Sequence, residues 1–131
     1  MPHLSIEYSR NLEARLDMPA FLRALRDAAV ATGVFPPAGI RVRAFAADHV
    51  LIADGDPGHA FIDIAIRLRG GRSSEDKARA TAAIFAAAEA FCAEDLAANS
   101  LMLSLEMRDI DPELSPKTSS IRRFLPKDMQ A

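Results

Sequence analysis

The feature that most restricts the fold is a switch of hydrophobic period, from two to helical and back, that occurs twice along the chain. From Pro2 to Tyr8, Leu4, Ile6 and Tyr8 fall on one side and His3, Ser5 and Glu7 on the other, as in a strand. Asp17 then stands as an N-cap, Pro19 is tolerated in a first helical turn, and Phe21, Leu22, Leu25, Ala28 and Ala29 recur at helical spacing before Gly33. Ile40 to Phe45 alternates again, setting Ile40, Val42 and Ala44 opposite Arg41, Arg43 and Phe45.

After a short apolar piece, His49–Ala53, and a turn over Asp54–Gly58, the order repeats. Phe61–Leu68 is rich in β-branched residues through Ile62, Ile64 and Ile66, and Gly70-Gly71 breaks it. Ser73, with Asp76 three residues on, caps a second helix expected to run to about Asn99 with Ile84, Ala88, Phe91, Cys92 and Leu96 as its buried stripe. Leu101, Leu103, Leu105 and Met107 alternate as a last strand.

Two tandem βαβ units follow, with no strong repeat at the level of residues. Right-handed crossovers lay both helices on the sheet, so the expected fold is α+β, a four-stranded mixed sheet with two helices on one face. Apolar residues assigned to both strand faces then call for identical subunits on the uncovered side, a homo-oligomer. The chain fits one domain over residues 1–131, with 109–131 too short for its own core and expected to be an arm gripping a neighbouring subunit or a partly disordered end.

Charge narrows the partners. Acidic side chains number 18 against 16 basic ones, giving −2, and only Arg122 and Arg123 adjoin, so nucleic acid is not an expected partner. No apolar run approaches the ~20 residues of a membrane span and the start Met1-Pro2-His3-Leu4 lacks the pattern of a signal peptide, so a cytoplasmic protein is expected. The single Cys92 falls on an apolar helix face as a core residue. His3, His49 and His59 lack ligand spacing and Gly58 spoils a calcium pattern, so no metal is expected, the histidines read as ordinary polar residues, and no nucleotide loop is present.

Pro2 carries the chemical interest. Removal of Met1 would convert its nitrogen from a non-basic amide to a secondary amine, which titrates nearer neutrality than lysine and is driven toward the uncharged form by burial. Such an amine serves as a general base. Arg41 and Arg43 share a strand face, and Arg72 sits in a Gly-Gly-Arg-Ser turn opening a helix, so Arg41 and Arg72 foremost, and Arg43 less so, are candidates for holding an anionic substrate. Singly, each arginine reads as a solubilising surface group.

The segments Pro2-His3-Leu4-Ser5-Ile6-Glu7-Tyr8-Ser9, Ala31-Thr32-Gly33-Val34-Phe35-Pro36 and Ala38-Gly39-Ile40-Arg41-Val42-Arg43 resemble the 5-carboxymethyl-2-hydroxymuconate delta-isomerase family of the tautomerase superfamily. Ala53-Asp54-Gly55, Ala60-Phe61, Gly71-Arg72-Ser73 and Leu103-Ser104-Leu105-Glu106 fit in the same order, and the likeness weakens after about Asp109. The resemblance implies a cofactor-independent homotrimer in homoprotocatechuate (aromatic acid) degradation that converts a dienol to its conjugated ketone. It implies Pro2 as the acid/base, with Arg41 and Arg72 on carboxylates or the developing oxyanion. The other readings are a tautomerase of a different 2-oxo acid and a non-catalytic trimeric binding protein on the same fold.

Overall fold

The computed structural model describes residues 2–130. Its main elements are β1 (His3–Ser9), α1 (Met18–Ala31), β2 (Arg41–Ala47), β3 (Ala60–Arg69), α2 (Ser74–Phe91), α3 (Ala93–Ala98) and β4 (Leu101–Ile110). The strands form one sheet in the order β2-β1-β3-β4. β1 pairs in parallel with β2, β3 in parallel with β4, and β1 meets β3 antiparallel. The expected tandem of βαβ units is therefore present, joined through its two opening strands.

Local chemistry sets the helix starts. The Asp17 carboxylate accepts from Ala20 N at 3.0 Å, and the Ser73 hydroxyl accepts from Asp76 N at 3.1 Å, each satisfying a donor that the first turn leaves unpaired. Gly33, with φ at +71°, ends the first helical segment in a conformation that glycine adopts without strain. Leu4, Ile6, Ile62, Ile64 and Ile66 are fully buried beneath Phe21, Leu25, Ile84 and Ala88, and Phe21 and Phe91 pack as a tilted pair with centroids 5.2 Å apart. Cys92 is fully buried, and burial pushes its thiol up to about 11, so it stays protonated in the core. Among the described residues no helix is long and apolar enough to cross a membrane.

The short apolar piece His49–Ala53 is part of the connection between β2 and β3. Two expectations change. The second helix does not run unbroken to Asn99: at Cys92 the backbone leaves helical geometry (φ −92°, ψ 6°), and α3 starts anew. The stripe does not continue through that break, so Leu96 is 38% exposed while Asp95 is buried. Arg15 answers Asp95 with a two-pronged contact, Nε to Oδ1 at 2.9 Å and Nη2 to Oδ2 at 2.5 Å, and Asn99 adds a third bond.

The Arg15 bond, foremost, holds the Asp95 carboxyl below its ordinary value. A depressed carboxyl contributes stability above its unfolded pKa and loses it as pH falls through the folded one. Asp95→Asn leaves Arg15 without its counter-charge, and should destabilise the fold toward the lower end of the ~3–5 kcal/mol seen for broken buried pairs, because Arg15 retains some solvent. Urea unfolding at neutral pH checks this; a midpoint equal to the parent's would show that the pair is energetically idle.

The uncovered sheet face is the second correction. Its in-register rows read Arg41, His3, Arg67, Arg108, then Arg43, Ser5, Ala65, Glu106, then Phe45, Glu7, Asp63, Ser104. The apolar surface expected across this face is confined mainly to Phe45, Phe61 and Met102 at one end, and the opposite end is basic. Residues 111–130 follow β4 and contain two short 3-10 turns, Ile121–Phe124 and Lys127–Met129.

Candidate active site

Parallel pairing of β1 and β2 brings the chain's start to the mouth of β2. The Pro2 ring is fully buried, and its carbonyl accepts from Arg41 N at 3.2 Å. Strand alternation then sends the next side chain, His3, to the uncovered face, where register places it between Arg41 and Arg67. Met1, on whose removal the amine chemistry depends, lies outside the described residues.

His3 meets an arginine at each ring nitrogen. Nε2 is 2.7 Å from Arg41 Nη2, and Nδ1 is 3.3 Å from Arg43 Nη1. A guanidinium only donates, so the shorter contact assigns Nε2 as acceptor and places the ring proton on Nδ1. Partial burial, with Arg41, Arg67 and Arg43 close by, lowers the His3 pKa to about 4, which keeps the ring neutral and able to orient Arg41 near pH 7. The histidine thus has a more particular place than an ordinary surface polar group.

These residues open onto a cavity of about 380 Å³. His3, Arg41, Arg67 and Arg69 line it from the sheet, and Ser115–Thr118 close it from the tail. No acidic side chain lines it, and among the described residues none of Arg41, Arg67, Arg69 and Lys117 takes part in an ion pair. Among the described residues Arg41 Nε is moreover a buried donor with no hydrogen-bond partner. A carboxylate entering the cavity would meet guanidinium groups that no acidic side chain lining it neutralises.

The structure brings Pro2, Arg41 and Arg43 to one end of the sheet, but sets Arg72 apart from them. Its Nε donates to Val34 O at 3.1 Å and its Nη1 to Arg69 O at 3.0 Å, so within the chain Arg72 braces the turn into α2. His3, Arg67, Arg69 and Lys117 were not among the residues singled out. Period two through Asp63, Ala65, Arg67 and Arg69 carried a signal for the two arginines, whereas the approach of Lys117 depends on how the tail folds back. His59, by contrast, ties a loop together, with Nδ1 2.6 Å from Ser100 Oγ and Nε2 2.8 Å from Asp54 Oδ1.

The lowered pKa of His3 has a measurable consequence. An unfolded histidine binds a proton near 6.5 and the folded one only near 4, so native stability should fall as pH drops across that interval and level off below it. In His3→Gln this part of the slope should flatten in urea unfolding at a series of pH values. An unchanged slope would mean that His3 does not sense the arginines.

A family model for 5-carboxymethyl-2-hydroxymuconate isomerase matches residues 2–125. The 5-carboxymethyl-2-hydroxymuconate Delta-isomerase of Escherichia coli is 31% identical over 121 residues, covering 92% of this chain and 96% of that protein. A solved 5-carboxymethyl-2-hydroxymuconate delta-isomerase superposes with a TM-score of 0.88 at 33% identity, covering 97% of this chain and 94% of the other. The 5-carboxymethyl-2-hydroxymuconate isomerase of Deinococcus radiodurans R1 gives 0.86 at 32% identity, covering 95% of each chain. More distantly, a fused 4-OT described as a symmetric trimer matches with a TM-score of 0.54 at 25% identity, over 83% of this chain and 85% of that one.

Proposed function

The chain belongs to the 5-carboxymethyl-2-hydroxymuconate isomerase family, and we propose that it performs this isomerisation through Pro2 as a secondary-amine acid/base, freed by loss of Met1. The enzyme is an isomerase that converts the dienol 5-carboxymethyl-2-hydroxymuconate to its conjugated 2-oxo isomer. The Pro2 nitrogen takes the proton of the 2-hydroxyl group, the oxygen's electron pair closes the C2=O bond, and the double bonds shift along the chain. A proton returned to C5 leaves a C3=C4 bond conjugated with the new ketone, so atoms and electrons balance without a cofactor.

The observation that carries the reading is Arg41, which lines a cation-rich cavity and whose backbone N–H holds the carbonyl of the buried Pro2. Burial and neighbouring cations favour an uncharged amine. Arg41 supplies a planar donor group to the substrate's 1-carboxylate or to the oxygen at C2 as charge develops there. Arg43 supports the same end of the sheet, and Arg72 would join the site by contact from a neighbouring subunit or with a substrate long enough to reach its turn. A cytoplasmic homotrimer belongs to this proposal: the uncovered sheet face, and the exposed Leu114, Ile121 and Phe124 on an arm following β4, offer surfaces for subunit contact.

An ultraviolet assay tests the substrate. The dienol's absorbance should decay at a rate proportional to enzyme, with a rate constant at least about 10²-fold above that for the enol of phenylpyruvate, which lacks the further carboxylates. Equal rates on both would favour a general tautomerase of 2-oxo acids.

A further inference from the structure

We infer that Arg67, Arg69 and Lys117 form a subsite for the carboxylates at the far end of the substrate, so that the C-terminal tail determines specificity for a tricarboxylate. The inference rests on the reading of Pro2 and Arg41 just given, and concerns what the remaining cations of the same cavity do. Arg67 and Arg69 stand two residues apart on β3 and so project from one face of the sheet. Lys117 comes from the opposite wall, carried by the tail segment Ser115–Thr118.

Charge count supports the assignment. The substrate has the two carboxylates of a muconate and a third on its carboxymethyl arm. Arg41, oriented by His3, accounts for one anionic end. Three further cations in a cavity that holds no acid would repel one another unless anions entered, which is a reason to keep them there only if the ligand brings more than one carboxylate. A flexible lysine on the tail suits a carboxylate on a one-carbon arm, because its charge can follow the arm while the arginines fix the more rigid end.

Lys117→Ala, Arg69→Ala and the double variant test this against two substrates, 5-carboxymethyl-2-hydroxymuconate and the analogue without the carboxymethyl arm. Each single variant should raise KM for the tricarboxylate about 10-fold, equivalent to about 1.4 kcal/mol, with kcat within about twofold. KM for the analogue should move less than about threefold in Lys117→Ala, and Lys117→Arg should restore most of the loss. Calorimetric binding of propane-1,2,3-tricarboxylate, which cannot isomerise, should persist in Pro2→Ala and weaken in the double variant.

Unchanged KM and unchanged tricarboxylate binding in the double variant would overturn the subsite while leaving the proline chemistry intact. Full activity in Pro2→Ala together with lost discrimination in the double variant would sink the proline reading and retain the subsite. Equal losses on both substrates in Lys117→Ala would also overturn it, since they would mean that this lysine acts on the common part of the molecule or on the fold.

Discussion

Pro2→Ala should lower kcat/KM for the dienol by at least about 10²-fold, the lower part of the range for losing a positioned general acid/base. Alanine at this position still permits removal of Met1, so the variant presents a primary amine in place of the secondary one. What it lacks is the ring. That ring is fully buried and fixes the nitrogen at the start of β1, with the carbonyl of the same residue held by Arg41 N at 3.2 Å. A primary amine on a chain end without this anchor gains rotational freedom and solvent, and both reduce the fraction of time spent uncharged and aimed at the hydroxyl proton.

Intact mass must accompany the kinetics, because a chain that keeps Met1 has an amide at Pro2 and no base there. The reading requires the active parent to lack Met1. Equal rates for parent and variant, both lacking Met1, would refute Pro2 as the proton carrier.

The second large effect is expected at Arg41. Arg41→Ala removes the group whose Nη2 lies 2.7 Å from His3 Nε2 and whose Nε is buried without a partner. Loss of a preorganised donor to a developing oxyanion lowers kcat by about 10²–10³-fold. Arg41→Lys should recover only a minor part, since an ammonium cannot present the planar pair of donors. Burst-free steady-state kinetics separate the roles: a fall in kcat with KM little changed places Arg41 on the oxyanion, and a rise in KM alone places it on the ground-state carboxylate. A change under about threefold in kcat/KM would remove it from the site. Because its strand neighbours are paired through the backbone, circular dichroism of the variant should match the parent.

Much of this architecture could be read along the chain. Alternation exposed all four strands because each has one face on a core and the other uncovered, the condition under which a period of two survives in sequence. Both caps were legible for a local reason, a short polar side chain followed by donors within three residues. Arg41 and Arg43 were legible as one face of a strand. Reading failed at Cys92, where nothing in an alanine-rich run marks a break, and at Asp95, whose partner Arg15 lies 80 residues away. It also overestimated the apolar character of the uncovered face, since counting strand residues does not reveal which of them fall into the same row.

From the sequence alone came the tandem strand-helix-strand order, the buried stripe of each strand, and Pro2 and Arg41 as residues with chemistry to offer. Periodicity and capping are local, so they are written within a few residues. Tertiary structure decided which of the candidates meet. Parallel pairing of β1 with β2 put Pro2 against Arg41, antiparallel pairing with β3 set Arg67 on the other side of His3, and the returning tail brought Lys117 over them. Arg72, equally visible as a candidate, was turned to the carbonyls of Val34 and Arg69. Register and chain return are non-local, because each depends on which distant strand buries which face, and no single stretch of residues specifies that choice.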